Sequence, residues 1–361
     1  MNAASTGLSE PLVEVLRGPL VDSVHRGDLA LVDANGTLLA SVGDPMGKRA
    51  YWRSSAKPFQ AMCVIQSGAG QRWSFSPEDI ALISGSHNGE AVHTARAQAL
   101  LDRIGEQPED LTCGVHPPLD AETARTLQER GVEPSVLENN CSGNHIGMLA
   151  LAVQLGVDTA GYASIEHPVQ QEILQGVCRF TGADPSQVAI GIDGCGVPCF
   201  GLSVYQMAWA FARLMKPQGT GAVYERAAAA VASAMMAHPY LVAGRNRLDT
   251  ALMEVAPGRL LSKGGAGGLQ CIGITGGMGL AVKVEDGAEV TSSARPAGMA
   301  ALEALRQVGV LDDLQMATLG VHARRAVHSL SGREVGEAHA AFRLLQVAGD
   351  ASWTTGGGVK P

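Results

Sequence analysis

Apolar and polar residues alternate over residues 12–41, in the runs VEVLRG, VDSVHRG and DLALVDANGTLLASVG. A period of two predicts strands with one covered face. Asp33-Ala34-Asn35-Gly36 supplies the turn residues of a hairpin, so two or three antiparallel strands open the chain. The period then changes. Phe59, Met62, Cys63 and Gln66 stand at i, i+3, i+4 and i+7, with Gly68 as a stop, which predicts a helix beginning near Ser54. Further helices are expected over 91–104, 121–129, 145–155, 168–181, 207–214, 224–237 and 297–308. After Gly258 the pattern returns to strands, in GRLLSKGGAGG, CIGITGGMGLAVKVEDG and a last strand near 339–347, with Glu285-Asp286-Gly287 as a turn.

Strands at both ends with helices between predict an α+β fold whose antiparallel sheet is built from the two chain ends, packed with helices and joined by a helical subdomain. One domain is expected over residues 11–347, sheet-rich in 11–53 and 258–347 and helical in 54–257. Residues 1–10 and 351–361, polar or glycine-rich, read as disordered tails. No internal repeat is found.

At 361 residues a sizeable core is affordable, and 46% hydrophobic against 17% charged residues excludes general disorder. The net charge of −8, with no basic block, argues against nucleic acid or an anionic membrane as partner. Glycine, at 45 residues, is over-represented, as close backbone approaches in an enzyme would require. No run is long enough to span a bilayer and the first ten residues lack the pattern of a signal peptide, so a cytoplasmic location is expected. Seven scattered cysteines then stay thiols unless a metal claims them.

Ser54-Ser55-Ala56-Lys57 is a Ser-x-x-Lys, and on a helix i and i+3 share a face, so an amine can take the hydroxyl's proton. Pro58 confines this segment to a helix's first turn, where free N–H groups favour an oxyanion. Taken alone, Ser-x-x-Lys more often marks a helix cap with a solvated lysine. Ser86-His87-Asn88 and Lys263-Gly264-Gly265 follow, each by itself an ordinary turn or strand end. Their order, however, is that of the penicillin-binding proteins and serine β-lactamases. Cys141, in ENNCSGNHIGML, and Cys195, in IDGCGVP, each lie among small residues beside potential ligands, where a lone cysteine is ordinarily a small core residue.

Taken with AGRNRLDT, the blocks RSSAKP, SGSHNGE, ENNCSGNHIGML, IDGCGVP and LLSKGGAGG resemble the asparaginase II family, the rhizobial-type (class 3) L-asparaginases, over residues 12–346. The resemblance implies a serine β-lactamase-like architecture, a homodimer, and hydrolysis of L-asparagine to L-aspartate and ammonia. It makes Ser54 the nucleophile with Lys57 its partner, and Ser86 with Lys263 a second serine–lysine tandem. Cys141 and Cys195 match two zinc-binding cysteines; the third ligand of the family is a lysine where this chain has Asn144, so zinc stays open, with Asp193 or His145 as replacement donors. Hydrolysis by the serine–lysine pairs itself requires no metal.

Two lysines in one pocket lower each other's pKa, which makes one of them a neutral base and gives an alkaline rate optimum. The substrate's α-ammonium calls for an anion, here Asp193, and its α-carboxylate for a cation, here Arg53. His145 and Asn88 are further contact candidates, His145 equally a structural histidine. Arg245 and Asp249 are read first as ion-pair residues, and His25, His322 and His328 as surface residues. The competing readings are a glutaminase or a β-lactam-type serine hydrolase on the same fold, or a non-catalytic amino-acid or metal-binding protein. One methylene separates asparagine from glutamine, too little for sequence to resolve.

Overall fold

A computed structural model describes residues 8–288 and 295–347; residues 1–7 and 351–361 of the expected tails lie outside the described residues. Its strands are β1 (Glu10–Arg17), β2 (Leu20–Asp33), β3 (Leu38–Val42), β4 (Arg49–Tyr51), β5 (Ala189–Ile192), β6 (Pro198–Ser203), β7 (Leu260–Gly265), β8 (Leu269–Ile274), β9 (Met278–Val284), β10 (Arg324–His328), β11 (Glu334–Ala340) and β12 (Leu345–Gln346). Nine of them form one antiparallel sheet in the order β10-β11-β1-β2-β9-β8-β7, with β3 beside β2 and β12 beside β3. Both chain ends thus supply the sheet, and helices of the middle cover it, which is the α+β arrangement expected from the order of strands and helices.

The long strand β2 organises the sheet. Its first half pairs with β1, and its second half lies between β9 and β3, with Leu29 opposite both Val282 and Val42. Alternation assigns its side chains to two cores: Ala30 and Val32 pack with the middle helices, Leu29 and Leu31 with the helix Pro296–Gln307. On the first face the helix Val204–Met215 approaches so closely that a Cβ at Gly279 would lie 2.0 Å from the Ala208 carbonyl oxygen. No larger residue fits there.

The opening hairpin turns at Ala34 and Asn35, where the Asp33 carboxylate accepts from the N–H groups of Asn35 and Thr37 at 2.9 and 2.8 Å. The helix expected near Ser54 forms in two parts, a 3₁₀ turn Arg53–Ala56 and an α-helix Lys57–Gln66, followed by Gly68 at φ 91°. Phe59 anchors it, 4.6 Å from Trp52, 5.4 Å from Phe211 and 5.7 Å from Phe180 between ring centroids.

Several elements depart from the expectation. The middle is not purely helical, because β5 and β6 lie within it and form, with β4, a separate three-stranded sheet. The segment before Ser86, for which no element is expected, is a helix, Pro77–Ile83, capped by reciprocal Ser76–Asp79 bonds. The helix expected from 145 starts at Ser142, and Leu248–Val255 and Asp313–Ala323 are additional helices. The single last strand is two, β11 and the short β12, and β10 precedes them. Ser9 and Glu10 belong to the fold: Ser9 donates to Asp28 at 2.9 Å and Glu10 opens β1. His322 is buried at a helix end and not on the surface.

Phe59 joins the nucleophile helix to three other aromatic rings. Phe59→Ala is expected to cost about 3–5 kcal/mol in urea unfolding; a change below about 1 kcal/mol would show that this cluster does not hold the helix.

Candidate active site

The site forms where the turn Arg53–Ala56 meets the edge strand β7. Arg53, a non-glycine residue, has φ 47°, a left-handed conformation that L side chains adopt at a cost of about 1–3 kcal/mol. Its guanidinium fixes that conformation by donating through Nε and Nη2 to Asp193 Oδ1, both at 2.8 Å. The two residues expected to receive the substrate's carboxylate and ammonium therefore hold each other, tying the turn to the β5–β6 loop. Of the two serines that follow, Ser55 is fully buried and donates to the Lys263 carbonyl oxygen at 2.8 Å, while Ser54 is half-exposed. Of the two, Ser54 is the one left partly open to solvent. The strand can come this close because a Cβ at Gly265 would lie 2.9 Å from Ser55 Oγ.

Lys57 lies three residues beyond Ser54 and is buried. Its Nζ donates to Ser86 Oγ at 2.9 Å, to Cys141 Sγ at 3.1 Å and to the Asn140 carbonyl at 3.4 Å. Three acceptors match the three donors of an ammonium. The direct pairing is thus Lys57 with Ser86, across the two tandems the resemblance implied. Ser86 is held in reach because its N–H donates to the Val242 carbonyl at 2.8 Å, and its neighbour His87 bonds Ser142 Oγ through Nε2 at 3.0 Å.

Lys263 is fully enclosed on β7 and donates to the Gly264 carbonyl at 2.7 Å. It shares a face of the strand with Gly265, the face against which the Ser54 turn packs. Burial pushes its amine down to about 7, Asp249 opposing and Lys57 and Arg247 assisting. The amine is therefore about half neutral at pH 7.

Asn88 and His145 are both sealed in. Asn88 accepts from Arg247 Nη1 at 2.9 Å and donates to the Arg245 carbonyl at 2.9 Å. His145 bonds the Tyr162 hydroxyl through Nδ1 at 2.6 Å, its Nε2 is buried without a protein partner, and burial pushes its pKa down to about 3, so the ring is neutral. Arg245 faces Glu122, Glu90 and Asp120, and Asp249 lies buried beneath β7.

Cys141 and Cys195 stand together, as the sequence blocks implied. The Cys195 thiol, hydrogen-bonded to it, and the Lys57 ammonium hold the Cys141 thiol at about 5 against burial, while Cys195 is raised far above the ordinary thiol range by the same contact and by burial. Cys113, which no motif singled out, is near enough to Cys141 to be pushed up by it, though chiefly by burial, to about 12. Cys141 and Cys195 are two of the four donors a structural zinc takes, and the residues around them do not complete the set. Asn144 turns its Nδ2 to the Ile83 carbonyl at 3.3 Å and has only an amide oxygen left to offer, a poor donor beside thiols, the Lys57 Nζ already donates to Cys141 Sγ at 3.1 Å, and no group of three or more His, Cys, Asp or Glu side chains is placed to hold a metal among the described residues.

A thiolate paired with an ammonium has an optical signature. One equivalent of ultraviolet thiolate absorbance is expected at pH 7, declining only as pH falls through about 5 and absent in Cys141→Ser. Absorbance that appears only above about pH 8 would contradict the pairing.

Comparison with known proteins gives the family. The sequence model for L-asparaginase II matches residues 13–340. No curated protein matches the chain in sequence. Among solved structures, Mglu in its native form is 17% identical over 79% of this chain and 65% of its own, with a TM-score of 0.35. Mglu in its glutamate form is 19% identical over 78% and 60%, with a TM-score of 0.35. A probable glutaminase from Bacillus subtilis complexed with 6-diazo-5-oxo-L-norleucine is 12% identical over 78% and 84%, with a TM-score of 0.36. The chain thus spans less than two thirds of the length of these two Mglu structures. With the match running over nearly all of its strands and helices, the chain belongs to the L-asparaginase II family.

Proposed function

We propose that the chain is an L-asparaginase, hydrolysing L-asparagine to L-aspartate and ammonia through an acyl-enzyme on Ser54. The observation that carries this reading is the half-exposed Ser54 on a strained turn packed against a fully buried lysine strand. Family membership supports amide hydrolysis as the reaction class.

Ser54 Oγ attacks the side-chain amide carbon and gives up its proton to a neutral amine. That amine is Lys263, because Lys57 spends its three N–H donors on Ser86, Cys141 and Asn140. Lys57 serves as a fixed cation that steadies developing negative charge and orients Ser86. Lys263 returns the proton to the departing nitrogen, the C–N bond breaks, and ammonia leaves an ester on Ser54. Water, deprotonated by the same amine, then cleaves the ester to aspartate and regenerates the hydroxyl. The base must be neutral, so rate rises with pH as Lys263 loses its proton near 7. Arg53 and Asp193 at the mouth are where the amino-acid end of the substrate meets both charges it requires. No step uses a metal.

Ammonia release from L-asparagine, with L-glutamine in parallel, tests this. Ser54→Ala is expected to lower turnover by more than about a thousandfold while Ser55→Ala keeps a measurable rate. Turnover unaffected by Ser54→Ala would overturn the nucleophile, and release from glutamine but not asparagine would overturn the substrate. A chelator is expected to leave the rate unchanged. In wild type, kcat/KM is expected to climb through an apparent pKa near 7; a profile flat from pH 6 to 9 would contradict a lysine base.

A further inference from the structure

We infer that Asp249, a carboxylate outside the reacting groups, is the positioning residue that sets both the place and the charge of Lys263. Asp249 lies on the helix Leu248–Val255, on the side of β7 opposite the Ser54 turn, and is closed to solvent. Its two oxygens accept from the Gly264 N–H, both at 2.9 Å, and Oδ1 also accepts from Ser262 Oγ at 2.8 Å and Gln270 Nε2 at 2.9 Å. Gln270 in turn donates to Ser262 Oγ at 2.9 Å. The carboxylate thereby grips the strand on both sides of Lys263, through residues 262 and 264, and locks it to its β8 neighbour.

Such a grip is stronger than a strand edge needs. A buried carboxylate is costly unless hydrogen-bonded and faced by positive charge. Here the donors are fully supplied and the positive charges are Lys263 and Arg247, which together with the Gly264 and Gln270 donors keep Asp249 ionised below the usual carboxylate range in spite of burial. The charged and titratable groups that act on Lys263 are Asp249 from behind the strand, Lys57, Arg247 and Cys141, with Cys271 opposite it on β8. Asp249 is the principal group favouring its charged form; burial, Lys57 and Arg247 favour the neutral form. Without the carboxylate, Lys263 would stay neutral well below pH 7 and lose the ability to hold the proton it must hand to the leaving nitrogen.

This inference rests on Lys263 acting as the base, so its test has a readout independent of turnover. The full chain, labelled with ¹⁵N-lysine and assigned through Lys263→Met, is titrated by NMR, and kcat/KM is followed over pH in parallel. In Asp249→Asn the Lys263 titration and the acid limb of the rate are both expected to move down by at least about one pH unit. Asp249→Ser, whose hydroxyl can still accept from Gly264, repeats the charge removal with a different shape. Ser262→Ala removes one hydrogen bond but keeps the charge, and is expected to lower thermal stability with the titration unmoved. A Lys263 titration unchanged in both Asp249 variants would overturn the proposal, as would failure of both to fold, which assigns the carboxylate to the fold alone. A shifted NMR titration with an unshifted rate profile would leave the coupling standing and overturn Lys263 as the base.

Discussion

The site depends on keeping an amine enclosed in the protein. A buried ammonium loses its hydration, so Lys263 is poised between charged and neutral forms near pH 7 by what surrounds it. Its backbone is held from both directions: Ser55 donates to its carbonyl, and Asp249 receives the N–H of the next residue. The strand cannot drift without breaking one or the other. Ser55 is spent on that contact, and its neighbour Ser54 is the serine of the turn that is not buried.

The two lysines divide the labour by environment. Both are buried, yet Lys57 meets a hydroxyl, a thiolate and a carbonyl, whereas Lys263 has one carbonyl and a carboxylate behind its strand. Scarcity of acceptors around a buried amine favours its free form, as at Lys263. Asn144 fits the same logic. Its amide turns to the Ile83 carbonyl, and Lys57 supplies the positive charge that the Cys141 thiolate requires.

Much of this was legible in the sequence. Period-two alternation located β1 to β3, and period 3.6 located the main helices, because each has one face on a core. The four serine and lysine positions lie in motifs whose order carries information, and the structure brings Lys57 and Ser86 together. What was not legible is long-range or short. β4 to β6 span only three to six residues, and β6 is buried throughout, so it shows no alternation. Pro77–Ile83 was readable from its Ser76–Asp79 cap but was masked by its apolar run. That Arg53 and Asp193, read as two substrate contacts, also hold each other was not legible, because nothing in sequence puts residues 140 apart in one ion pair. Asp249 and Cys113 owe their roles to what the fold lays beside them, and no local motif marks either.

The central claim, that Ser54 is the residue presented for attack while Ser55 and Ser86 are held by hydrogen bonds, is tested most directly by trapping the intermediate. The enzyme is mixed with L-asparagine, quenched in acid within the first turnover and mapped by peptide mass spectrometry. The account predicts an aspartyl ester on Ser54. An ester on Ser55 or Ser86, or turnover with no ester on any serine, would contradict it.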